Sequence, residues 1–515
     1  MKNWRNAVFG TLVAKEILET VLDLRFVVAT LLCVVLIPLG MYVSREDYEQ
    51  RLTAYQREHE TYRQRHGAPE WAGTDIEAQG FRPPSVLSIF ASGLDPFLPD
   101  KVITSHSGVF RTIKEPSADS PQSFLFGKID FLFNIVFVVS LAALIFTFTC
   151  VSGEREKGTL RLVVANSVPR SRILLAKIAG KYIALLVPFT LAVLIALLIL
   201  DASPDVSVAS SQVWPHVLTI LGATMLFLLG MVCLGVCIST LTRRSMGSIV
   251  LLFLVWVILV LGVPRISPMI AESLCSTESQ TAVSTNKQSV ADDIENEYYQ
   301  TKRQTIDVKW QEEDKEMWRT VSEMSKDIMA RVRSSGREPV KEDSAEVNKF
   351  LKARNRELED KYRPQVARLC EEYRKRLAKE IKRVEHDHRD RMSVQHSIAT
   401  NLSRISPMCC YAYIVAGIAS TGVAEPDNFI RSAQRYQDLM EEILYSKFIM
   451  RAKDSWTLVE GFDHGKPPAI PDMTYVQPTL AGAMRAHWLD VLLLGLFDVL
   501  FFALAFVRFN RYDVR

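Results

Sequence analysis

Phe131–Val151 reads FLFNIVFVVSLAALIFTFTCV, 21 residues without one charged side chain. A helix of that length rises about 30 Å, the thickness of a bilayer's hydrocarbon core. Five further runs pass the same test: Phe26–Val43, Tyr182–Leu200, Val217–Leu241, Ser248–Val263 and Trp488–Val507. Between them lies the opposite material, Ser284–Thr400, which is nearly half charged. Uninterrupted apolar runs do not stay in water and charge-dense runs do not stay in lipid. The expected fold class is therefore an all-α polytopic membrane protein, with six transmembrane helices and a long helical hairpin outside the bilayer.

The whole chain has 515 residues, 61 Lys and Arg against 58 Asp and Glu, and a net charge of +3. That balance gives no electrostatic footprint for nucleic acid, so the implied surroundings are membrane lipid and protein partners. Eight cysteines show no metal-ligand spacing, and His386 and His388 stand about 200° apart on a helix, so no metal site is expected. No Ser-His-Asp set, catalytic acid pair or Cys-His dyad can be assembled, which leaves no enzyme reading.

An even number of spans puts both termini on one side, and Lys and Arg near the span ends mark that side as cytoplasmic. The basic residues are Lys2, Arg5, Lys15 and Arg25 before the first span, Arg155 to Lys181 after the second, Arg243 and Arg244 after the fourth, and Arg508, Arg511 and Arg515 at the tail. The expected order is an interfacial helix over residues 1–25, then spans at 26–43, 131–151, 182–200, 217–241, 248–263 and 488–507. The intervening parts are an outer loop over 44–130, a cytoplasmic loop over 152–181, an extracytoplasmic helical domain over 265–487 with its hairpin at about 284–400, and a cytoplasmic tail over 508–515. The first span reads as a retained anchor. The outer loop starts as a charged helix and turns Pro- and Gly-rich at Phe81–Pro99, a composition suited to capping other outer elements. Ile405–Thr421 is apolar but short, and a seventh span would put the Arg-rich tail outside, so a helix on the outer membrane surface or packed under the polar insert is expected.

Within the insert, Met317, Val321, Met324, Ile328 and Val332 form one apolar stripe and Phe350 to Val384 another. Ser334–Pro339 (SSGREP) breaks between them, which predicts an antiparallel hairpin with Met324 and Ile328 packed on Leu358, Leu369 or Tyr373. Pro364 should kink the return helix.

The loop after the second span reads SGEREKGTLRLVVANSVPRSRILLAKIAGK over Ser152–Lys181. Glu154 and Glu156, then Gly158-Thr159-Leu160, a short apolar run, a turn, Arg170 and finally Lys177 resemble the corresponding loop of ABC-2 type exporter permeases. A large insert before the last span, with a Ser-Pro-containing apolar segment near its end, is similar to the subgroup that includes permeases of gliding-motility and nitrous-oxide-reductase maturation operons. The family pattern has Pro two or three residues before the Arg, whereas here Ser167 stands there and Pro169 directly precedes Arg170. The resemblance implies ATPase coupling through Glu154, Glu156, Gly158, Thr159, Leu160, Arg170 and Lys177. It also implies an ABC ATPase subunit that holds ATP and Mg, no cofactor in this chain, and a second copy or a homologous permease as partner. The chain lacks G-x-x-x-x-G-K-[ST]: Gly180-Lys181 is followed by Tyr182.

Leu160, Leu162, Val163 and Val164 read as the apolar face of a short helix that docks on a partner. Asp490 and Asp498 are intramembrane polar candidates, either functional or packing residues. Cys275, Cys409 and Cys410 are candidates for a disulfide, with buried free thiols as the alternative. Two functions fit: a permease exporting a hydrophobic or amphipathic substrate, and a mechanotransmission assembly whose outer stalk acts on a periplasmic or envelope partner.

Overall fold

The computed structural model describes residues 2–66, 78–104, 110–113, 129–165, 168–202, 213–336, 344–443, 448–452, 455–458 and 471–511. Ser167, Arg515 and positions 337–339 of the expected hairpin turn lie outside the described residues.

Among the described residues six helices are long and apolar enough to cross a membrane. They are α2 (Leu24–His66), α3 (131–147), α6 (Arg170–Asp201), α7 (Trp214–Leu241), α8 (Ser245–Leu274) and α15 (Trp488–Asn510). Each contains or closely overlaps one expected span. Apart from α3, the helices are longer than the apolar runs because hydropathy marks where lipid ends, not where backbone hydrogen bonding stops. Thus α2 continues as a charged helix far past Val43, α6 starts at Arg170, and α8 runs on to Leu274. Two spans contain π-helical turns, Asn134–Val139 in α3 and Ile258–Gly262 in α8. Ser406 Oγ donates to the Leu259 carbonyl in the second.

α1 (Lys2–Val21) precedes the first span, breaks at Asp23, and packs along α6. α15 lies against α7 in the most extensive helix pair of the bundle. Two short helices, α4 (Ser152–Glu156) and α5 (Thr159–Ala165), link α3 to α6. Arg170 Nη1 donates to the Asn510 carbonyl at 2.5 Å, and Lys177 Nζ lies 2.8 Å from Glu16, so both ends of the chain meet the 152–181 loop at one end of the bundle.

The opposite end carries everything else. α9 (Gln280–Lys302), a π turn at Arg303–Asp307 and α10 (Val308–Ser334) form the outgoing arm of a hairpin, and α11 (Ala345–Ser403, 59 residues) returns. At 1.5 Å per residue the return arm is roughly 90 Å long. Pro364 sits inside this helix, which continues through it. The arms are antiparallel: Lys287 pairs with Glu385, Glu297 with Arg376 at 2.9 Å, and Glu313 with Lys361. Their core is Tyr298, Ile306, Met317, Leu358, Tyr362, Val366 and Cys370. Those pairs mirror about Gly336, at φ +66°, and this register corrects one expectation. By that register Met324 and Ile328, a few turns from the bend, fall opposite the first two turns of α11 and not opposite Leu358, Leu369 or Tyr373. Tyr373 instead meets Tyr298 and Thr301. Distance from the bend decides who meets whom, and the heptad pattern alone does not carry it.

The expected short apolar segment is α12 (Pro407–Ile418). It packs against α7 and α15: Tyr411 stacks on Phe227 with centroids 4.6 Å apart and its hydroxyl meets Thr224 Oγ1 at 2.9 Å. At 12 residues it is too short to cross. The Phe81–Pro99 loop caps it, with Ser85 Oγ on the Ala419 carbonyl and Leu94 N on the Thr421 carbonyl.

The all-α class holds with two small sheets added. β1 (Ala78–Phe81), β2 (Lys101–Thr104) and β3 (Phe110–Ile113) are antiparallel in that order, with Ala78 opposite Thr104 and Lys101 opposite Ile113. β4 (Phe448–Ala452) and β5 (Ser455–Leu458) form a hairpin. α13 (Glu425–Ile443) buries Phe429, Ala433, Tyr436 and Met440 against the first sheet. α14 (Leu480–Ala486) then leads into α15.

Candidate functional site

The residues singled out after the second span fold into a compact corner. Gly158 has φ +76°, a conformation that disfavours any Cβ, and it turns the chain between α4 and α5. Ser239 Oγ of α7 accepts from the Val151 and Ser152 amides, both at 3.0 Å, at the point where the chain leaves the second span. Arg155 donates to the Thr242 carbonyl at 2.9 Å, and Glu156 accepts from Ser245 N at 3.0 Å and Ser245 Oγ at 2.7 Å. The loop is thereby tied to the turn between α7 and α8.

Its other side is tied to α1 and α6. Lys177 Nζ donates at 2.8 Å to Glu154 Oε1 and at 2.8 Å to Glu16 Oε1. One turn further on, Lys181 Nζ reaches Thr20 Oγ1 at 2.9 Å. Lys15 adds a contact to Glu154 at 3.4 Å. Burial works to raise the Glu16 carboxyl, but the ammonium groups of Lys177, Lys181 and Lys15 outweigh it and hold the group below the ordinary carboxylate range. Gly180 lets α1 approach, since a Cβ there would stand 2.5 Å from the Glu16 Cβ. An open cavity of about 120 Å³ lies in this corner, lined by Lys15, Glu16, Glu154 and Lys177 with apolar walls from Leu12 and Val163.

The corner divides the expected residues into two sets. Glu154, Leu160 and Lys177 point inward, and Leu160 is 1% exposed. Gly158, Thr159, Lys157, Arg161 and Leu162 point out, with Leu162 71% exposed. The expected single face of Leu160, Leu162, Val163 and Val164 is therefore corrected: residues two apart on a helix differ by about 200°, and Val163 and Val164 lean onto the bundle core with Leu160. Glu156 is exposed but holds Ser245, and Arg170 holds the last turn of α15.

Glu16, Thr20, Ser239 and Ser245 were missed from sequence. A signal existed for the first two: Glu16 and Thr20 are four residues apart on α1, and Lys177 and Lys181 four apart on α6, a matching ladder of helical repeats.

The remaining candidates lie elsewhere. Asp490 forms a buried cluster at the start of α15, 2.7 Å from Arg404 Nε and 3.1 Å from His487 Nδ1. Asp498 is buried against Gly230 of α7, and neither carboxylate oxygen has a hydrogen-bond partner among the described residues. Cys275, Cys409 and Cys410 are free thiols. Cys275 lies 3.9 Å from the Arg391 carbonyl and Cys410 3.6 Å from that of Arg404, positions some 20 Å apart along α11, so the candidate bridge is not formed. Among the described residues no cluster of metal-ligating side chains occurs.

Among the curated proteins compared with the chain, none matches. The family described as ABC-2 family transporter protein matches residues 11–514, from α1 through the last span. Six spans, a short-helix corner anchored between spans and a family match over nearly the whole length agree, and the chain belongs to the ABC-2 family of transporter proteins, as a membrane-embedded permease component that associates with an ABC ATPase subunit and is not itself the ATPase.

Proposed function

We propose that this permease couples ATP hydrolysis on a separate nucleotide-binding subunit, which holds ATP and Mg, to export of a hydrophobic or amphipathic substrate across a bacterial inner membrane. The end bearing α1, α4, α5 and the tail is cytoplasmic, supported by its Lys and Arg excess. The observation that carries the coupling role is the division of the 152–165 corner. Its inner residues lock α4 and α5 to α1, α6 and α7, while Lys157, Gly158, Thr159, Arg161 and Leu162 are left projecting. A partner that pushes on the projecting face moves the anchored spans as a rigid body.

The test is Arg161→Glu with Leu162→Asp. Insertion and melting should be unchanged, while copurification of the ATPase and permease-stimulated hydrolysis fall sharply. Retention of both would reject the assignment.

A second reading, mechanotransmission to a periplasmic or envelope partner, draws on how the stalk is rooted. Its outgoing arm follows span α8, and its return arm runs within one turn into α12, wedged against α7 and α15. Motion of the spans would therefore be delivered to the stalk with no substrate crossing.

A further inference from the structure

The buried residues of α15 are Asp490, Leu494, Asp498, Ala505 and Phe509, at steps of four and seven, so Asp498 holds the middle of the seam that the last span turns to the bundle. It lies halfway along the 23-residue helix and is 7% exposed. Gly230 of α7 makes the approach possible, since a Cβ there would stand 2.4 Å from Asp498 Oδ1. A carboxyl that serves packing between spans is paired across the contact. Asp490, two turns earlier, is paired in this way with Arg404 and His487. Asp498 differs: both of its oxygens are closed to solvent, and neither has a hydrogen-bond partner among the described residues.

No counter-charge stands near it among the described residues. The ionisable groups in electrostatic reach are Tyr182 of α6 and Cys233 of α7, and neither is a cation. The Tyr182 hydroxyl donates to the Met225 carbonyl at 2.8 Å. Cys237 is one turn beyond Cys233, Cys410 and Tyr413 of α12 act on Asp490 instead, and Arg485 of α14 precedes the Asp490 end of α15. Arg508 is ten residues further along α15, about 15 Å away. An ionised carboxylate with neither donor nor cation is not sustained in an apolar interior, and the group neutralises by taking a proton. The closed contact leaves no room at its oxygens for a larger ligand. A buried neutral carboxyl without a hydrogen bond still costs stability that Leu or Ala in the same seam position would not, so its use falls in a second state, with the contact open.

We propose that Asp498 is a proton-binding site within the membrane, whose carboxyl holds one proton while α7 and α15 are packed together and gives it up when they part. On parting, the carboxyl O–H bond breaks, its electron pair stays on the carboxylate, and the proton passes to water admitted between the helices. Closure takes one proton back. Packing and protonation are then one equilibrium, shifted towards the packed state by acid and towards the parted state by alkali. Ser239 of α7 also anchors the chain where it enters the 152–165 corner, so a push on that corner and the proton act on the same helix. The site goes beyond the coupling assignment and does not depend on it.

Two measurements on the full-length protein in lipid vesicles test the site. At about pH 7, well above the ordinary carboxylate range, the infrared difference between the parent and Asp498→Asn should contain the carbonyl stretch of a protonated carboxylic acid, shifted in heavy water. Carboxylate bands in its place would overturn the proposal. The second measurement is alkylation of Cys233 by N-ethylmaleimide between about pH 6 and 9, read on its own peptide by mass spectrometry. Cys233 is buried on α7 in the packed state, so its alkylation reports parting. Dividing the parent rate by that of Asp498→Asn, which stays neutral, removes the thiol's own titration, and repulsion of the thiolate by the Asp498 carboxylate would only lower the ratio. The ratio should instead climb with pH by up to about tenfold per unit, the slope of a one-proton linkage. A ratio that is flat or falls with pH would overturn the link between proton and contact. Asp498→Ala, also neutral and smaller, takes the place of Asp498→Asn if that variant does not insert.

Discussion

Lys177 Nζ lies 2.8 Å from Glu16 Oε1, joining the helix before the first span to the foot of the third across 161 residues of sequence. The same ammonium holds Glu154, so three elements share one buried cation.

Removing that cation should be costlier than removing either acid. Lys177→Ala leaves two buried carboxylates facing each other and should destabilise by about 3–5 kcal/mol, whereas Glu16→Gln keeps a hydrogen-bond acceptor and should cost less. Because the Glu16 carboxyl is held below its ordinary range, its contribution is full above the unfolded value near pH 4.5 and is lost as pH falls through the lower folded value. Thermal melting in detergent as a function of pH checks both. Equal melting of Lys177→Ala and the parent would show that the cluster does not hold the corner.

Gly158 should tolerate substitution poorly for a backbone reason. Alanine at φ +76° costs about 1 kcal/mol, and Gly158→Pro cannot adopt the angle at all. Since no atom lies within 4 Å of a Cβ built there, the loss comes from conformation, not from a clash. Gly158→Asn, which accepts the left-handed region, should retain ATPase stimulation where Gly158→Pro loses it. Equal activity in all variants would remove the turn from the coupling path.

Labelling of single cysteines should place Ser335 outside and Arg244 and Arg511 inside. An impermeant thiol reagent applied to intact cells reports each. Labelling of Arg511→Cys from outside would reverse the proposed orientation.

Excising Tyr298–Arg374 and closing the gap with a Gly/Ser linker removes the stalk core but keeps its base, where Lys287 pairs with Glu385 and Thr277 meets Gln395 at 3.2 Å. Insertion and ATPase binding should survive. Export that persists identifies a transporter with a dispensable stalk, and lost biological function with intact ATPase binding identifies force transmission.

Glu425 provides a pH test of the domain around the first sheet. It is buried, accepts from the Tyr475 hydroxyl and lies near Arg82 and Asp95. Burial pushes its carboxyl up to about 7. A raised carboxyl favours the folded, neutral form, so the added stability is full below about pH 4.5 and is lost as pH rises through 7. Limited proteolysis of the irregular segment 471–479, which carries Tyr475, should therefore quicken between pH 5.5 and 8, and Glu425→Gln should abolish that dependence. An unchanged pH dependence in Glu425→Gln would place its origin elsewhere.

Sequence by itself determined the class of this protein. Six apolar runs, the charge-dense insert and the breaker at Ser334–Gly336 each act through local chemistry, namely partition into lipid, solvation of charge and backbone freedom, and none needs a distant partner. The order Glu154, Glu156, Gly158, Thr159, Leu160 was legible for the same reason. What tertiary structure decided was which way those residues face and whom they meet. Leu160 and Leu162 are alike in composition, and only packing against the bundle buries one and exposes the other. Glu16 finds Lys177, Asp490 finds Arg404 and Tyr373 finds Tyr298 because helices far apart in sequence are laid side by side at a particular register. The hydrophobic effect that assembles the spans is non-directional, so periodicity announces a buried face without naming its neighbour. Long-range contact geometry supplies the name.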